Sequence, residues 1–168
     1  DDMVAIRDFF MTKQAVSLDT ETTSTQAIEA ELVGLSFAVE EHKAYYVPVP
    51  AEREQAQTIV NIFKPLYEHP KILKIGQNIK YDLEVLAAYG VKLAGPMFDT
   101  MIAHYLIQPE LRHNMDFMAE VYLHYRTIHI DELIGSKRKK QLSMRDLAPE
   151  QVYEYAAEDA DVTLMLKN

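Results

Sequence analysis

At 168 residues, 48% of them hydrophobic, the chain has the size and apolar content of one ordinary domain with its own core. The absence of cysteine excludes a disulfide framework and thiolate zinc sites, and no apolar run approaches the roughly 20 residues of a membrane span. With 26 acidic against 17 basic side chains the formal net charge is −9, so either nucleic acid is not the partner or something other than side chains supplies positive charge.

Taken in chain order, Ala15 to Leu18 is a short apolar run ending at Asp19, and the β-rich runs Leu32 to Val39 and Ala44 to Val49, separated by Glu40 to Lys43, predict a hairpin. From Arg53 to Glu68, Ala56, Ile59, Val60, Phe63, Leu66 and Tyr67 recur at helical spacing, with Pro65 expected to kink or shorten the last turn. Ile72 to Ile75 reads as a strand closed by Gly76, followed by a helix over 79 to 89 that stops at Gly90. Beyond Gly95 and Pro96, helical patterns recur at 100 to 107, 115 to 124 and from about 150 onward, while the polar stretch Asp131 to Ser143 reads as a linker. No basic and apolar leader opens the chain, and a cytoplasmic location is the expectation. The pattern predicts a single α/β domain over 1–168.

The chemistry concentrates in three places. Asp19 and Glu21 follow the first apolar run, and residues two apart on an extended chain project to the same side. Such a pair is a metal site or, taken alone more readily, a solvated loop edge. Asn78 and Asp82 stand four apart where a strand turns into a helix; Asn78 can equally be an N-cap and Asp82 a first-turn acid favoured by the helix dipole. Tyr155 and Asp159 repeat the spacing in the last helix, whereas Asp161 lies about 200° further round from Asp159. Glu158 also shares a face with Tyr155, which can itself be a half-buried core aromatic. Only the combination is specific.

The strings Asp19-Thr20-Glu21-Thr22, Gly76-Gln77-Asn78-Ile79-Lys80-Tyr81-Asp82, Phe98-Asp99-Thr100-Met101, Arg112-His113-Asn114-Met115-Asp116 and Tyr155-Ala156-Ala157-Glu158-Asp159-Ala160-Asp161 resemble the proofreading 3′-5′ exonuclease domain of bacterial family A DNA polymerases, over nearly the whole chain. The resemblance implies an α/β ribonuclease H-like fold, a central mixed β-sheet of about five strands flanked by helices. It implies two divalent metal ions, Mg²⁺ with Mn²⁺ or Zn²⁺ as alternatives, held by Asp19, Glu21, Asp82 and Asp159, with Tyr155 and Glu21 orienting the attacking water. It further implies substrate contacts at Thr20, Gln77, Asn78 and Arg112, a single-stranded DNA 3′ end as substrate, nucleoside 5′-monophosphates as product, and a polymerase domain in the same parent chain, the protein being a monomer.

Other conspicuous residues read more plainly. Asp99, ahead of a helical run, is an N-cap rather than a ligand. Lys137 to Lys140 is more often a solvated face than a DNA track, and the six histidines show no ligand spacing. Thr25 stands where better-known members of the family carry an apolar residue against the terminal bases. The alternatives are an RNA-trimming exonuclease of the ribonuclease D type, and an inactive exonuclease domain kept as a structural part of a polymerase; the presence of all four acids argues against the second.

Overall fold

The computed structural model describes residues 2–136 and 140–168. Most of the Lys137 to Lys140 run therefore lies outside the described residues, and Lys140 itself is exposed. Strands β1 (Ala15–Thr22), β2 (Leu32–Glu40), β3 (Lys43–Pro48), β4 (Leu73–Gly76) and β5 (Met97–Asp99) form one sheet in the order β3-β2-β1-β4-β5. β1 pairs antiparallel with β2 and parallel with β4; β2 and β3 form the expected antiparallel hairpin, and β4 and β5 run parallel. The sheet is mixed, as anticipated, but β5 was not legible as a strand: three residues after Gly95 and Pro96 carry no alternation to read.

Alternation along β1 assigns the two faces. Val16 and Leu18 join the main core, which receives Val60, Phe63 and Tyr67 from α2 (Arg53–Tyr67) and Val85 and Leu86 from α3 (Ile79–Ala87). Against the same core packs α1 (Asp2–Met11), an element absent from the sequence reading although Met3, Ile6 and Phe10 carry its spacing; Phe10 is fully buried against Phe37 and Tyr45. Pro65 falls in the last turn of α2, which ends at Tyr67.

The opposite face is covered by α7 (Pro149–Lys167), whose Ala160 and Leu164 pack with Ala38 and Ile75. Small residues at 156, 157 and 160 let this helix approach the sheet so closely that Ser17 Oγ donates to the Ala160 carbonyl at 2.7 Å. The remaining helical elements are α4 (Thr100–Ile107), α5 (Met115–Met118) running into a π-helical turn at Ala119–Leu123, α6 (Ile130–Ile134) and a 3₁₀ turn at Met144–Asp146. Helix α6 begins just before the stretch expected to be a linker and occupies its first residues, Asp131 to Ile134.

A bulge disturbs β2 opposite the end of β1. Glu21 faces Gly34 and Thr22 faces Leu32, leaving Val33 as the extra residue. Leu32 and Leu35 consequently both reach the main core while Val33 packs toward α7 with Met144, Val152 and Ala156. At Gly34 a Cβ would lie 2.1 Å from the Tyr46 ring, so only glycine admits that ring beside the bulge.

Candidate active site

Asp19 and Glu21 occupy the α7 face of β1 at its C-terminal end, as two residues apart on a strand require. Asp159 comes from the buried stripe of α7, in line with Val152, Ala156 and Thr163. One carboxylate oxygen from each of Asp19, Glu21 and Asp159 lies within 4.8 Å of the others. Glu21 and Asp159 are buried, Asp19 partly so.

Asp82 is outside that triplet but beside it. Buried in the first turn of α3, its Oδ1 accepts from the Thr20 amide at 3.1 Å and from Thr20 Oγ1 at 2.6 Å, which ties the fourth acid to the residue between the first two. Thr20 thus acts through Asp82, a use the sequence did not reveal.

Four carboxyls this close and this deep do not ionise freely. Burial pushes Asp19 up to about 7, against a hydrogen bond from the Thr20 backbone that pulls the other way. Burial followed by the charges of Asp19, Asp159 and Asp82 raises Glu21 well above the usual carboxylate range. Asp82 and Asp159 are raised by burial and then by Asp19. Glu21 Oε1 is inaccessible yet has no hydrogen-bond partner among the described residues. An all-oxygen donor set, mutual repulsion and an orphaned buried oxygen fit a hard divalent cation.

Tyr155, one turn before Asp159, packs partly buried beside the Val33 cluster, and its hydroxyl lowers the Asp159 pKa by a hydrogen bond. Burial, then the charges of Asp159, Glu21 and Asp19, hold the phenol protonated far beyond neutral pH. Glu158 points elsewhere: it accepts from Tyr125 Oη at 2.6 Å and the Ile128 amide at 2.9 Å. Asp161 accepts from the His42 amide at 2.7 Å, closing the β2–β3 turn. The sequence left Glu158 unresolved; the fold assigns it to holding the 125–128 segment.

Around the strand turn, Asn78 does not cap α3 with its side chain. It adopts a left-handed conformation (φ 57°) and its side chain is exposed. The cap comes from Asp99, whose carboxylate receives the amides of Asn78 (3.1 Å) and Ile79 (2.9 Å) and also those of Met101 (2.9 Å) and Ile102 (3.3 Å) at the start of α4. Asp99 is the N-cap expected, of two helices rather than one. Gln77 is bonded internally: its amide donates to the His113 carbonyl at 2.8 Å and accepts from Thr100. Arg112 is exposed on the loop after α4, and among the described residues no hydrogen bond or ion pair ties it to the carboxylates.

A groove of about 350 Å³ opens over Glu21. Thr20 to Thr25 and Asn78 form one side; Ile130, Ile134, Leu142 and Met144 bring apolar surface to it. The sequence sought such a residue at Thr25 and missed these four, which lie in or beside the stretch 131–143 that reads as polar linker.

Comparison with known proteins agrees with this architecture. Residues 3–168 match a family described as 3′-5′ exonuclease, of DNA polymerase A type. The chain is 43% identical over 162 residues to DNA polymerase I of Pseudomonas aeruginosa, covering 91% of this chain and 18% of that protein. It thus spans less than a fifth of the length of the curated relatives it matches. Among solved structures, Brucella melitensis NrnC with bound Mg²⁺ superposes with a TM-score of 0.67 at 25% identity, over 92% of this chain and 70% of that one. Escherichia coli RNase D, an exoribonuclease, superposes with a TM-score of 0.69 at 24% identity, over 99% and 41%, and shares the ribonuclease H-like fold. On sequence and fold alike, the chain belongs to the 3′-5′ exonuclease family of the family A DNA polymerases.

Proposed function

We propose that the chain hydrolyses the terminal phosphodiester of a single DNA strand at its 3′ end, releasing nucleoside 5′-monophosphates, as the proofreading part of a polypeptide that also carries a DNA polymerase. The observation that carries this reading is the convergence of the Asp19, Glu21 and Asp159 carboxylates within 4.8 Å of one another, with Glu21 opening onto the groove.

Asp19, Glu21 and Asp159 would hold divalent metal, Mg²⁺ by preference, with Asp82 supporting a second ion from its fixed place on Thr20. Bound there, the ions supply a lowered pKa for water and positive charge at the scissile phosphate. The rest belongs to the chain. Tyr155, locked as a phenol, donates a hydrogen bond that orients the attacking water, with Glu21 accepting from it. The strand enters along Thr20 to Thr25 with its terminal base against Ile130 and Ile134, which keep bulk water from the phosphate. Asn78, whose side chain faces the same groove, contacts the sugar-phosphate backbone; Gln77 holds the turn that presents it, and Arg112 approaches a phosphate further along the strand.

RNA trimming is the second reading, favoured by the likeness to NrnC and RNase D. Labelled single-stranded DNA and RNA of one sequence, digested side by side in Mg²⁺, Mn²⁺ and chelator, decide between them. Stepwise shortening of DNA in metal, its absence in chelator and slower attack on RNA are expected; faster attack on RNA overturns the DNA assignment.

A further inference from the structure

The apolar wall of the groove stands on an element that cannot place itself. Helix α6 is five residues long and buries none of them, and a helix so short is not stable on its own hydrogen bonds. Its fastening lies just ahead of it. Thr127, only 3% exposed, donates its hydroxyl to Asp116 Oδ1 at 2.5 Å, and His129 Nδ1, one residue before the helix, lies 3.0 Å from Asp116 Oδ2. One carboxylate thus engages, with both oxygens, the side chains that flank Ile128, and Ile130 of the wall follows directly. Asp116 also connects this wall to the opposite lip. It belongs to α5, which is entered through His113, and the His113 carbonyl takes the amide of Gln77 at 2.8 Å. Gln77 precedes Asn78 on the other side of the groove, so a path from Asn78 to Ile130 runs through the short stretch 113–116 and one carboxylate.

We propose that Asp116 is a positioning residue that sets the width of the groove, and with it the grip on the terminal nucleotide, by fixing Thr127 and His129; this rests on the reading of the groove as the seat of a strand's 3′ end. A hydrogen bond from a buried hydroxyl to a carboxylate is among the stronger kinds, and its loss leaves Thr127 unpaired and Ile130 free to withdraw from the opposite lip. Among the described residues no hydrogen bond joins Asp116 to the four clustered acids. Burial and nearer carboxylates dominate the raised pKa values of Asp159 and Tyr155, but the Asp116 charge adds to both, so tether and charge have to be separated.

Steady-state cleavage of a labelled single strand, DNA or RNA according to which the parent shortens faster, separates the two. Asp116→Ala should raise KM about tenfold and leave kcat at saturating strand and metal within about threefold. Asp116→Asn keeps an oxygen for Thr127 without the charge, and should bring KM back to within about threefold of the parent. On an Ile130→Ala background, Asp116→Ala should add less than about twofold to KM, because both changes act through one side chain. Thr127→Val, similar in shape but without the hydroxyl, should reproduce the rise in KM and replaces Asp116→Ala if that variant does not fold. An unchanged KM, a fall in kcat that Asp116→Asn shares, or full additivity with Ile130→Ala overturns the proposal. A parent that shortens neither polymer in metal removes the nuclease reading instead. The tether is then scored by hydrogen exchange, where Asp116→Ala should speed the amides of 130–134 at least about tenfold with β1 unchanged, and equal exchange overturns it.

Discussion

Individual carboxyls both create the site and strain it. Replacing Asp19, Asp82 or Asp159 by Ala should lower cleavage by roughly a thousandfold or more, since each would remove a carboxylate proposed to hold the metal. The same variants should melt no lower than the parent in chelator, because mutually repelling buried charge is removed. Near-parental turnover would strike that residue from the site. Tyr155→Phe loses the hydroxyl that bonds Asp159 and, in the proposed role, orients the attacking water, and a loss of roughly 10- to 1,000-fold in kcat is expected; an unchanged rate would reduce Tyr155 to a core aromatic. The raised pKa values also set a pH dependence in the metal-free protein. Above about pH 4 the unfolded chain releases carboxyl protons that the folded chain keeps. These groups therefore favour folding increasingly less as pH rises from about 4 through the value of about 7 at Asp19 and beyond. Melting curves in chelator should show the parent losing stability over that range relative to Asp19→Asn/Asp159→Asn, and divalent metal should flatten the difference. Spacing alone left each acid open to a plainer reading, and the sequence singled out the four through the family resemblance; the fold brings Asp19, Glu21 and Asp159 together and sets Asp82 beside them. Thr20's grip on Asp82 was not legible, since it spans 62 positions.

At the level of elements, Asp99 stitches the starts of α3 and α4 to the edge of the sheet. Its position before a helical run announced one cap; the second, across 20 and 21 positions to Ile79 and Asn78, depends on β4 and β5 lying side by side. Asp99→Ala should cost about 1–3 kcal/mol of stability, two caps' worth, while saturating metal preserves cleavage to within about tenfold. Loss of cleavage on the scale of Asp82→Ala, without a drop in melting temperature, would make Asp99 a ligand after all. Glu158 and Asp116 play the matching part for the segment leading to α6. Asp116 accepts from Thr127 at 2.5 Å and lies 3.0 Å from His129 Nδ1, so the two acids fasten 125–129 from either side. Neither α6 nor its groove-facing isoleucines could be read as an element, because five residues amid polar sequence give too short a period.

For the whole molecule, charge and topology have separate consequences. With a net charge of −9 the chain should bind single-stranded DNA weakly without metal and with a shallow salt slope, few phosphates being neutralised by side chains. Titrations in chelator at several salt concentrations check this; tight binding with a steep slope would show that a basic surface holds the strand. The mixed sheet was inferable from the family resemblance and the strand count. The two-sided core was not legible, because periodicity gives α2 and α7 a stripe each and never says which face of the sheet that stripe meets. The contact between Ser17 and Ala160 joins positions 143 residues apart, and Asp159 beside it is the last in chain order of the four clustered acids. A polypeptide still lengthening on the ribosome therefore holds Asp19, Glu21 and Asp82 without the helix that completes the acidic triplet, and the carboxylates converge only once residues 149–167 have been made.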